Sequence, residues 1–283
     1  MNLEEDKQHL KEQILALSSI YTKKRLSTKF IKGETYIPAS GSTMEEEEVN
    51  NVIEAMLNGW VTEGEYSKKF SRGLREYLNS RFCILCNSGS SANLLAITAT
   101  TQKEFGTKAA KEGDEFITTA VGFPTTVAGL VQNKIHPVFV DIDPASLTPN
   151  VNLIEQAVVE GKTKGIILTH ALGSPYDVDS VRDICDEYGL WMIEDCCDAL
   201  GSRFNGNLVG TQGSMATLSF FPAHHITTGQ GGAVFTNDGL TKKILESIRN
   251  WGRDCWCLPG KDNTCGKRFG YCVGNEIEYD HKY

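Results

Sequence analysis

The feature that most constrains the fold is a regular alternation of short apolar runs with stretches in which apolar residues have helical spacing. Helical spacing occurs at 45–58, 66–78, 178–188 and 240–249. Short runs rich in Val, Ile and Phe that alternate with helices indicate an α/β fold with a mostly parallel central sheet covered by helices on both faces. The runs are CILCN (83–87), EFITTAVGF (115–123), HPVFVDID (136–143), GIILTHALG (165–173), LWMIEDCCDALG (190–201), MATLSFFP (215–222) and GGAVFTND (231–238).

Charge and composition exclude several classes of function. The net charge of −8 argues against general binding to nucleic acid or anionic lipid. The charged N-terminus lacks an apolar leader and no run of 18 apolar residues occurs, so we expect a cytoplasmic protein without a membrane span. In that reducing compartment the nine cysteines indicate metal or redox chemistry rather than disulfides.

Polar residues gather at the carboxyl ends of the predicted strands, where ligands bind in sheets of this kind. Ser-Gly-Ser at 88–90 opens a helix and predicts a phosphate site, because helix N-termini favour anions. Serine is also a common helix N-cap, so a purely structural role stays open. The other members of this candidate pocket are Phe123, Asp195, Ser219, His224 and His225.

The segment SFFPAHHITTGQGG (219–232) holds two adjacent histidines between an apolar strand and a glycine-rich turn. Its glycines suit a place where backbone approaches a bound group closely. An ordinary hairpin with structural histidines is the alternative.

The ordered motifs NSGSSANLLA, AVGFPTTV, PVFVDID, IEDCCDALG and SFFPAHHITTGQGGAV resemble the sugar aminotransferase family of fold-type-I, pyridoxal-phosphate-dependent proteins. The resemblance spans residues 35–283. It implies that Gly89, Ser90 and Ser219 bind the cofactor phosphate and that Phe123 stacks on the pyridine ring. It further implies that the carboxylate of Asp195 pairs with the ring nitrogen and that the carboxylate of Asp198 contacts the ring hydroxyl.

The chain departs from the family at His224, where the aminotransferases carry the lysine that holds the cofactor covalently. No lysine occurs between Lys164 and Lys242. We therefore expect non-covalent binding of pyridoxamine 5′-phosphate. A neutral imidazole can remove a proton from the C4′ carbon of that cofactor, which favours dehydration of a sugar over amino transfer. His224 is thus the predicted catalytic base, and His225 is expected to be a structural neighbour.

Four cysteines, Cys197, Cys255, Cys257 and Cys265, have a spacing similar to the 2Fe-2S ligand set of the family's 3-dehydratases. Four thiolates also suit zinc, so the spacing alone leaves both metals open. Because side chains alternate along a strand, Cys196 should face away from Cys197. The remaining cysteines are expected to be buried apolar residues.

Together these patterns predict a dehydratase that uses pyridoxamine phosphate and a 2Fe-2S cluster on C3 of a nucleotide-linked 4-keto-6-deoxyhexose, with CDP implied by the resemblance alone. The resemblance implies an NADH-dependent flavin and iron–sulfur reductase as partner. It implies a homodimer if the chain is full length. The implied pathway is 3,6-dideoxysugar synthesis for lipopolysaccharide O-antigen. The open alternatives are a cluster-free dehydratase, a sugar aminotransferase and an inactive truncated metal-bound relative.

The expected domain organisation has three parts. Residues 1–40 form a helical arm and loop, 41–250 a large cofactor-binding α/β domain, and 251–283 a cysteine-containing loop that begins a truncated C-terminal region. The family's small C-terminal domain is expected to be missing.

Overall fold

The computed structural model describes residues 3–38, 40–41, 43–60, 62–253, 257, 261, 263–264, 266, 271–273 and 276–278, the last two ranges by their backbone. The chain divides into two compact units, Met1–Phe70 and Ser71–Tyr283. No helix among the described residues is long and apolar enough to cross a membrane.

The first unit is helical. It contains α1 (Leu3–Leu26), α2 (Glu46–Leu57) and the start of α3 (Glu65–Leu78). Polar contacts join α1 to α2: Lys11 pairs with Glu54, and Lys23 Nζ lies 2.8 Å from Glu46 Oε2.

The second unit is built on a seven-stranded sheet with strand order β1-β11-β10-β7-β6-β2-β3. Its strands are β1 (Phe82–Cys86), β2 (Glu115–Thr119), β3 (His136–Val140), β6 (Thr163–Thr169), β7 (Trp191–Asp195), β10 (Met215–Ser219) and β11 (Gly232–Thr236). Three short antiparallel pairs lie outside it: β4 (Ile142–Asp143) with β5 (Thr148–Pro149), β8 (Arg203–Phe204) with β9 (Asn207–Leu208), and β12 (Tyr271–Val273) with β13 (Glu276–Glu278).

The helices of this unit connect the strands. They are α4 (Gly89–Thr100), α5 (Pro124–Gln132), α6 (Val151–Gln156), α7 (Val178–Tyr188) and α8 (Gly239–Arg249). Side chains of Ser88, Asp177 and Asp238 cap α4, α7 and α8 by accepting backbone N–H bonds, which fixes where these helices begin.

The expected α/β fold with a mostly parallel sheet is confirmed. Neighbouring strands are parallel except at β11, which runs antiparallel to both β1 and β10. Every residue of β7, β10 and β11 is buried. Because both faces of these strands are buried, their sequences are continuous apolar runs and do not alternate between apolar and polar residues.

Several strands are shorter than their apolar runs. GIILTHALG leaves the sheet after Thr169, and residues Ala171–Gly173 form a 3-10 turn. HPVFVDID breaks after Val140, and EFITTAVGF leaves the sheet after Thr119. In each run the last residues lie outside the central sheet, and one of them, Phe123, lines the candidate site.

The core lies where α4 packs on the sheet. The helix presents Ala92, Ala96 and Ala99, all fully buried, so its backbone comes close to the strands. Helix α5 also approaches α4 closely, since a Cβ on Gly129 would lie 2.7 Å from Ile97 Cδ1. This packing holds the N-terminal ends of α4 and α5 beside the carboxyl ends of the central strands.

Candidate active site

A cavity of about 510 Å³ lies at the carboxyl ends of the central strands. The structure brings together there the candidates Gly89, Ser90, Phe123, Asp195, Cys197, Asp198, Ser219 and His224. The cavity is also lined by Ser88, Asn93, Thr125, Thr169, Phe221, Ala223 and Gln230. Residues separated by more than a hundred positions in sequence therefore share one site.

One end of the cavity is formed by the N-terminus of α4. Ser88 caps the helix by accepting the backbone N–H of Ser91 at 3.1 Å. A Cβ on Gly89 would lie 2.5 Å from Cβ and 2.9 Å from Oγ of Ser219, so only glycine fits here. Free backbone donors, the helix dipole and serine hydroxyls make this end suitable for an anionic group.

The floor of the cavity holds Asp195, which is only 1% exposed at the end of β7. Its Oδ2 accepts hydrogen bonds from Asn93 Nδ2 at 2.8 Å and from Thr126 Oγ1 at 2.7 Å. Its Oδ1 accepts the backbone N–H of Cys197 at 3.2 Å. These donors offset the cost of burying the carboxylate, and Oδ1 keeps acceptor capacity for a donor in the cavity.

Phe123 stands at the rim of the cavity, immediately before α5. Pro124 at the first helical position fixes the chain direction after it. The ring is 63% exposed, which is high for a large aromatic side chain. An exposed aromatic face beside the cavity is suited to stacking on a flat ligand.

His224 lies in the loop between β10 and β11, opposite the helix end. Its Nδ1 is 3.2 Å from Oδ1 of Asp198, and its backbone N–H donates to the carbonyl of Phe221 at 3.0 Å. The structure thus places Asp198 against His224, and its contact with the cofactor hydroxyl, which the resemblance implies, stays a prediction. His225 is exposed and does not line the cavity.

The His224 loop is both a hairpin connection and part of the cavity wall. Ser219 and Gly232 are paired in the antiparallel ladder, and Phe220 donates its N–H to the carbonyl of Gly231 at 2.8 Å. Thr227 and Thr228 both bond back to the Phe220 carbonyl. The two interpretations of this segment, hairpin and ligand site, are therefore compatible.

The cavity wall contains two carboxylates and no lysine or arginine among the described residues that line it. Within this part of the chain, no amine lies where a cofactor could be attached covalently. Among the described residues that line the cavity, His224 is the one whose side chain is a nitrogen base.

Of the four candidate metal ligands, the structure describes Cys197 and Cys257. Burial, with the nearby Asp195 carboxylate, raises the pKa of the Cys197 thiol well above its usual value. Cys257 is half-buried, and its Sγ accepts the hydroxyl of Thr264 at 3.1 Å. Cys255 and Cys265 lie outside the described residues.

Glu194 and Asp195 occupy opposite faces of β7, as alternation along a strand requires. On the face away from the cavity, the Glu194 carboxylate accepts backbone N–H groups from Gly210, Gln212 and Gly213 at 2.7–3.0 Å. His170 Nε2 lies 3.2 Å from the same carboxylate. Cys196 is close to this pair and is fully buried, so it faces away from Cys197.

Sequence reasoning missed Asn93, Thr126, Thr169 and Thr217. The clearest signal was Asn93, an amide in the otherwise apolar segment ANLLAI of α4. A buried amide needs hydrogen-bond partners, which in this protein are supplied by Asp195 and Thr217. Thr169 and Thr217 carry no comparable signal, because threonine is common in strands.

Comparison with known proteins agrees with this architecture. The model of the DegT/DnrJ/EryC1/StrS aminotransferase family matches residues 42–273. The chain belongs to this family.

Among curated family members, the chain is 50% identical over 277 residues to the lipopolysaccharide biosynthesis protein RfbH of Salmonella typhimurium, with 97% of this chain and 63% of that protein covered. It is 44% identical to a dTDP-4-dehydro-2,6-dideoxy-D-glucose 3-dehydratase of Saccharopolyspora spinosa, with 96% and 59% covered. The chain therefore spans about six tenths of the length of these relatives.

Among solved structures, a GDP-4-keto-6-deoxymannose-3-dehydratase with a trapped PLP-glutamate geminal diamine superposes with a TM-score of 0.72. Its sequence is 32% identical, and the match covers 77% of this chain and 56% of that one. The family thus includes 3-dehydratases as well as aminotransferases.

Proposed function

We propose that this chain carries the cofactor site of a pyridoxamine-phosphate-dependent 3-dehydratase that acts on a nucleotide-linked 4-keto-6-deoxyhexose. The observation that carries the proposal is the imidazole of His224 in the cavity wall, held by Asp198, where no described lining residue is a lysine. The 3-dehydratases among the relatives support the reaction class.

The residues of the cavity fit pyridoxamine phosphate. Its phosphate suits the N-terminus of α4, where Gly89 lets the helix begin close against Ser219 and where Ser90 and Ser219 offer hydroxyls. Asp195 Oδ1, which accepts one backbone N–H, would accept a hydrogen bond from a protonated ring nitrogen. Phe123 offers its face to the ring. When bound, this cofactor supplies an amine that can join a 4-keto sugar and a ring that withdraws electrons.

His224 is assigned as the base that removes the proton from the cofactor C4′ carbon. Its Nδ1 faces Asp198, which favours the tautomer with a proton on Nδ1 and leaves Nε2 to accept a proton. An imidazole differs from lysine here because it holds and releases a proton without forming a bond to the cofactor. The reaction that follows is loss of the C3 hydroxyl as water.

The substrate of this chain is proposed to be CDP-linked, as in CDP-4-keto-6-deoxy-D-glucose 3-dehydratase. Support for the nucleotide comes from the sequence resemblance alone, since the two 3-dehydratases named above are a dTDP-sugar and a GDP-sugar enzyme by name. The name of the Salmonella relative supports a role in lipopolysaccharide synthesis.

A 2Fe-2S cluster on Cys197, Cys255, Cys257 and Cys265 is a further part of the proposal. Its support is the spacing of the four residues and the position of Cys197 in the cavity wall, two residues from Asp195. Such a cluster would supply single electrons received from an NADH-dependent flavin and iron–sulfur reductase. Because burial raises the pKa of Cys197, iron binding must release its proton and should weaken as the pH falls.

A cluster-free dehydratase is the second candidate, and iron analysis separates the two. Anaerobic reconstitution should give about two irons per chain, and Cys197→Ser should lower that number. Cys196→Ala, on the opposite face of the strand, is the matched control and should keep the iron. A colourless protein that takes up zinc but no iron would reject the cluster.

The dehydratase proposal is tested by the exchange of the C4′ proton of bound pyridoxamine phosphate with D₂O in the presence of CDP-4-keto-6-deoxy-D-glucose, followed by NMR. The keto sugar is needed because the C4′ proton becomes acidic only when the cofactor amine has joined a carbonyl. His224→Asn should still bind the cofactor but exchange about 10²–10⁴-fold more slowly, because a general base contributes that much. His225→Asn changes the exposed neighbour and should exchange at the original rate. Unchanged exchange in His224→Asn would refute the assignment of the base.

A further inference from the structure

A chain of buried hydrogen bonds ends on Asp195. Thr217 Oγ1 donates to Asn93 Oδ1 at 2.6 Å, and Asn93 Nδ2 donates to Asp195 Oδ2 at 2.8 Å. Both residues are at most 1% exposed. The amide orientation is fixed by chemistry, because a carboxylate only accepts and the threonine hydroxyl then supplies the donor to the amide oxygen.

The same carboxylate oxygen has a second donor from another helix. Thr126 on α5 donates to Oδ2 at 2.7 Å, so this oxygen receives two short bonds from two helices. Oδ1 receives one longer bond from the backbone of Cys197. The two oxygens are therefore unequal: Oδ2 is held by protein donors, and Oδ1 retains capacity toward the cavity.

The register of the sheet aligns the strand residues of this network with Asp195. In the parallel ladders Asp195 is paired with Thr217 on β10 and with Thr169 on β6, so all three side chains lie on the same face. Asn93 on α4 bridges from Thr217 to Asp195 across that face. The carboxylate is thereby fixed from a strand and from two helices.

We propose that Asn93 and Thr217 are positioning residues, which act through Asp195 to fix the orientation of a pyridine ring in the cavity. The inference rests on the proposed function, since it concerns the same cofactor site. Without the amide, the carboxylate can rotate about its last bond and share its oxygens differently between protein and ligand. A carboxylate fixed before binding loses less conformational freedom when the ligand arrives, which strengthens binding.

The test uses pyridoxamine phosphate with the purified chain and two readouts, the dissociation constant and the induced circular dichroism of the bound cofactor. Thr217→Val removes the hydroxyl while keeping the shape of the side chain. We expect about tenfold weaker binding, the effect of disturbing one hydrogen bond to a charged group. The induced dichroism should also fall, since it requires a fixed ring orientation.

Two controls separate positioning from stability. Thr217→Ser keeps the hydroxyl and should restore both readouts. Thr236→Val removes another buried strand hydroxyl, which bonds to the carbonyl of Ser214, and should change stability without changing either readout. Should Thr217→Val not fold, Thr126→Val removes another of the donors to Oδ2, beside Asn93 and Thr169, and is expected to show the same two losses.

The outcomes are distinct. Weaker binding and lower dichroism in the valine variants, with recovery in Thr217→Ser, support the inference. A folded Thr217→Val or Thr126→Val with the affinity and dichroism of the original chain overturns it while leaving the proposed function intact. A wild-type chain that does not bind pyridoxamine phosphate overturns both.

Discussion

Nδ1 of His224 lies 3.2 Å from Oδ1 of Asp198, which joins the loop after β10 to the segment that follows β7. Both side chains line the cavity, and both belong to segments that begin at the carboxyl end of a central strand. This contact explains how an imidazole in a glycine-rich loop keeps one orientation. It adds a contact of Asp198 to the one with the cofactor hydroxyl that the family motif implies, which stays a prediction.

Asp198→Asn should slow C4′ exchange about tenfold or more while the cofactor still binds. An amide can satisfy the imidazole N–H, yet it removes the negative charge that stabilises the protonated ring during proton transfer. The measurement is the NMR exchange rate beside the dissociation constant for pyridoxamine phosphate. Equal exchange in the variant and the original chain would show that Asp198 does not support the base.

Gly89→Ala should lower the affinity for pyridoxamine phosphate by more than tenfold, because the new methyl group would lie 2.5 Å from Ser219 Cβ and displace the phosphate end of the cavity. Gly239→Ala is the matched control. It also lies at the start of a helix, but its Cβ would meet no atom within 4 Å. Similar affinities in both variants would contradict a phosphate site at the start of α4.

The buried Glu194 should make the fold sensitive to acid. Burial alone would raise its pKa, but the hydrogen bond with His170, the attraction to that imidazole and the N–H groups of Gly210 and Gly213 outweigh burial and lower the pKa from 4.5. The ionised form therefore favours the folded state. This contribution is complete above the unfolded-state pKa of 4.5 and is lost as the pH falls through the lower folded-state pKa.

Denaturant unfolding of Glu194→Gln measures this contribution. The variant should lose about 3 kcal/mol at pH 7, since the buried backbone N–H groups that donate to the carboxylate would lose a charged acceptor. Its stability should also depend less on pH in acid. Glu112→Gln, at an exposed pair with Lys134, should change stability by at most about 1 kcal/mol. A Glu194→Gln chain as stable as Glu112→Gln would contradict this account of the buried pair.

The sequence predicted the fold class because the central strands are buried on both faces and therefore show apolar runs that any α/β sheet requires. It also singled out Gly89, Phe123, Asp195 and Ser219, since motifs place them at strand and helix ends. It did not predict the contact between Asp198 and His224. Their separation is set by how far two loops bend toward each other, which no local pattern records.

The hydrogen-bond network around Asp195 was also beyond sequence reasoning. Asn93, Thr126 and Thr217 come from two helices and a strand, and only the packing of those elements brings their polar atoms within 3 Å of a partner. A buried amide in an apolar helix indicates that it has a hydrogen-bond partner. It does not identify the partner.

Borohydride reduction in the presence of pyridoxal phosphate, followed by peptide mass spectrometry, tests the central claim most directly. The original chain should remain unmodified at the cavity because an imidazole stands at 224, whereas His224→Lys should become labelled at that position and His225→Lys should not. Labelling of a lysine that contacts the cavity in the original chain would contradict the account.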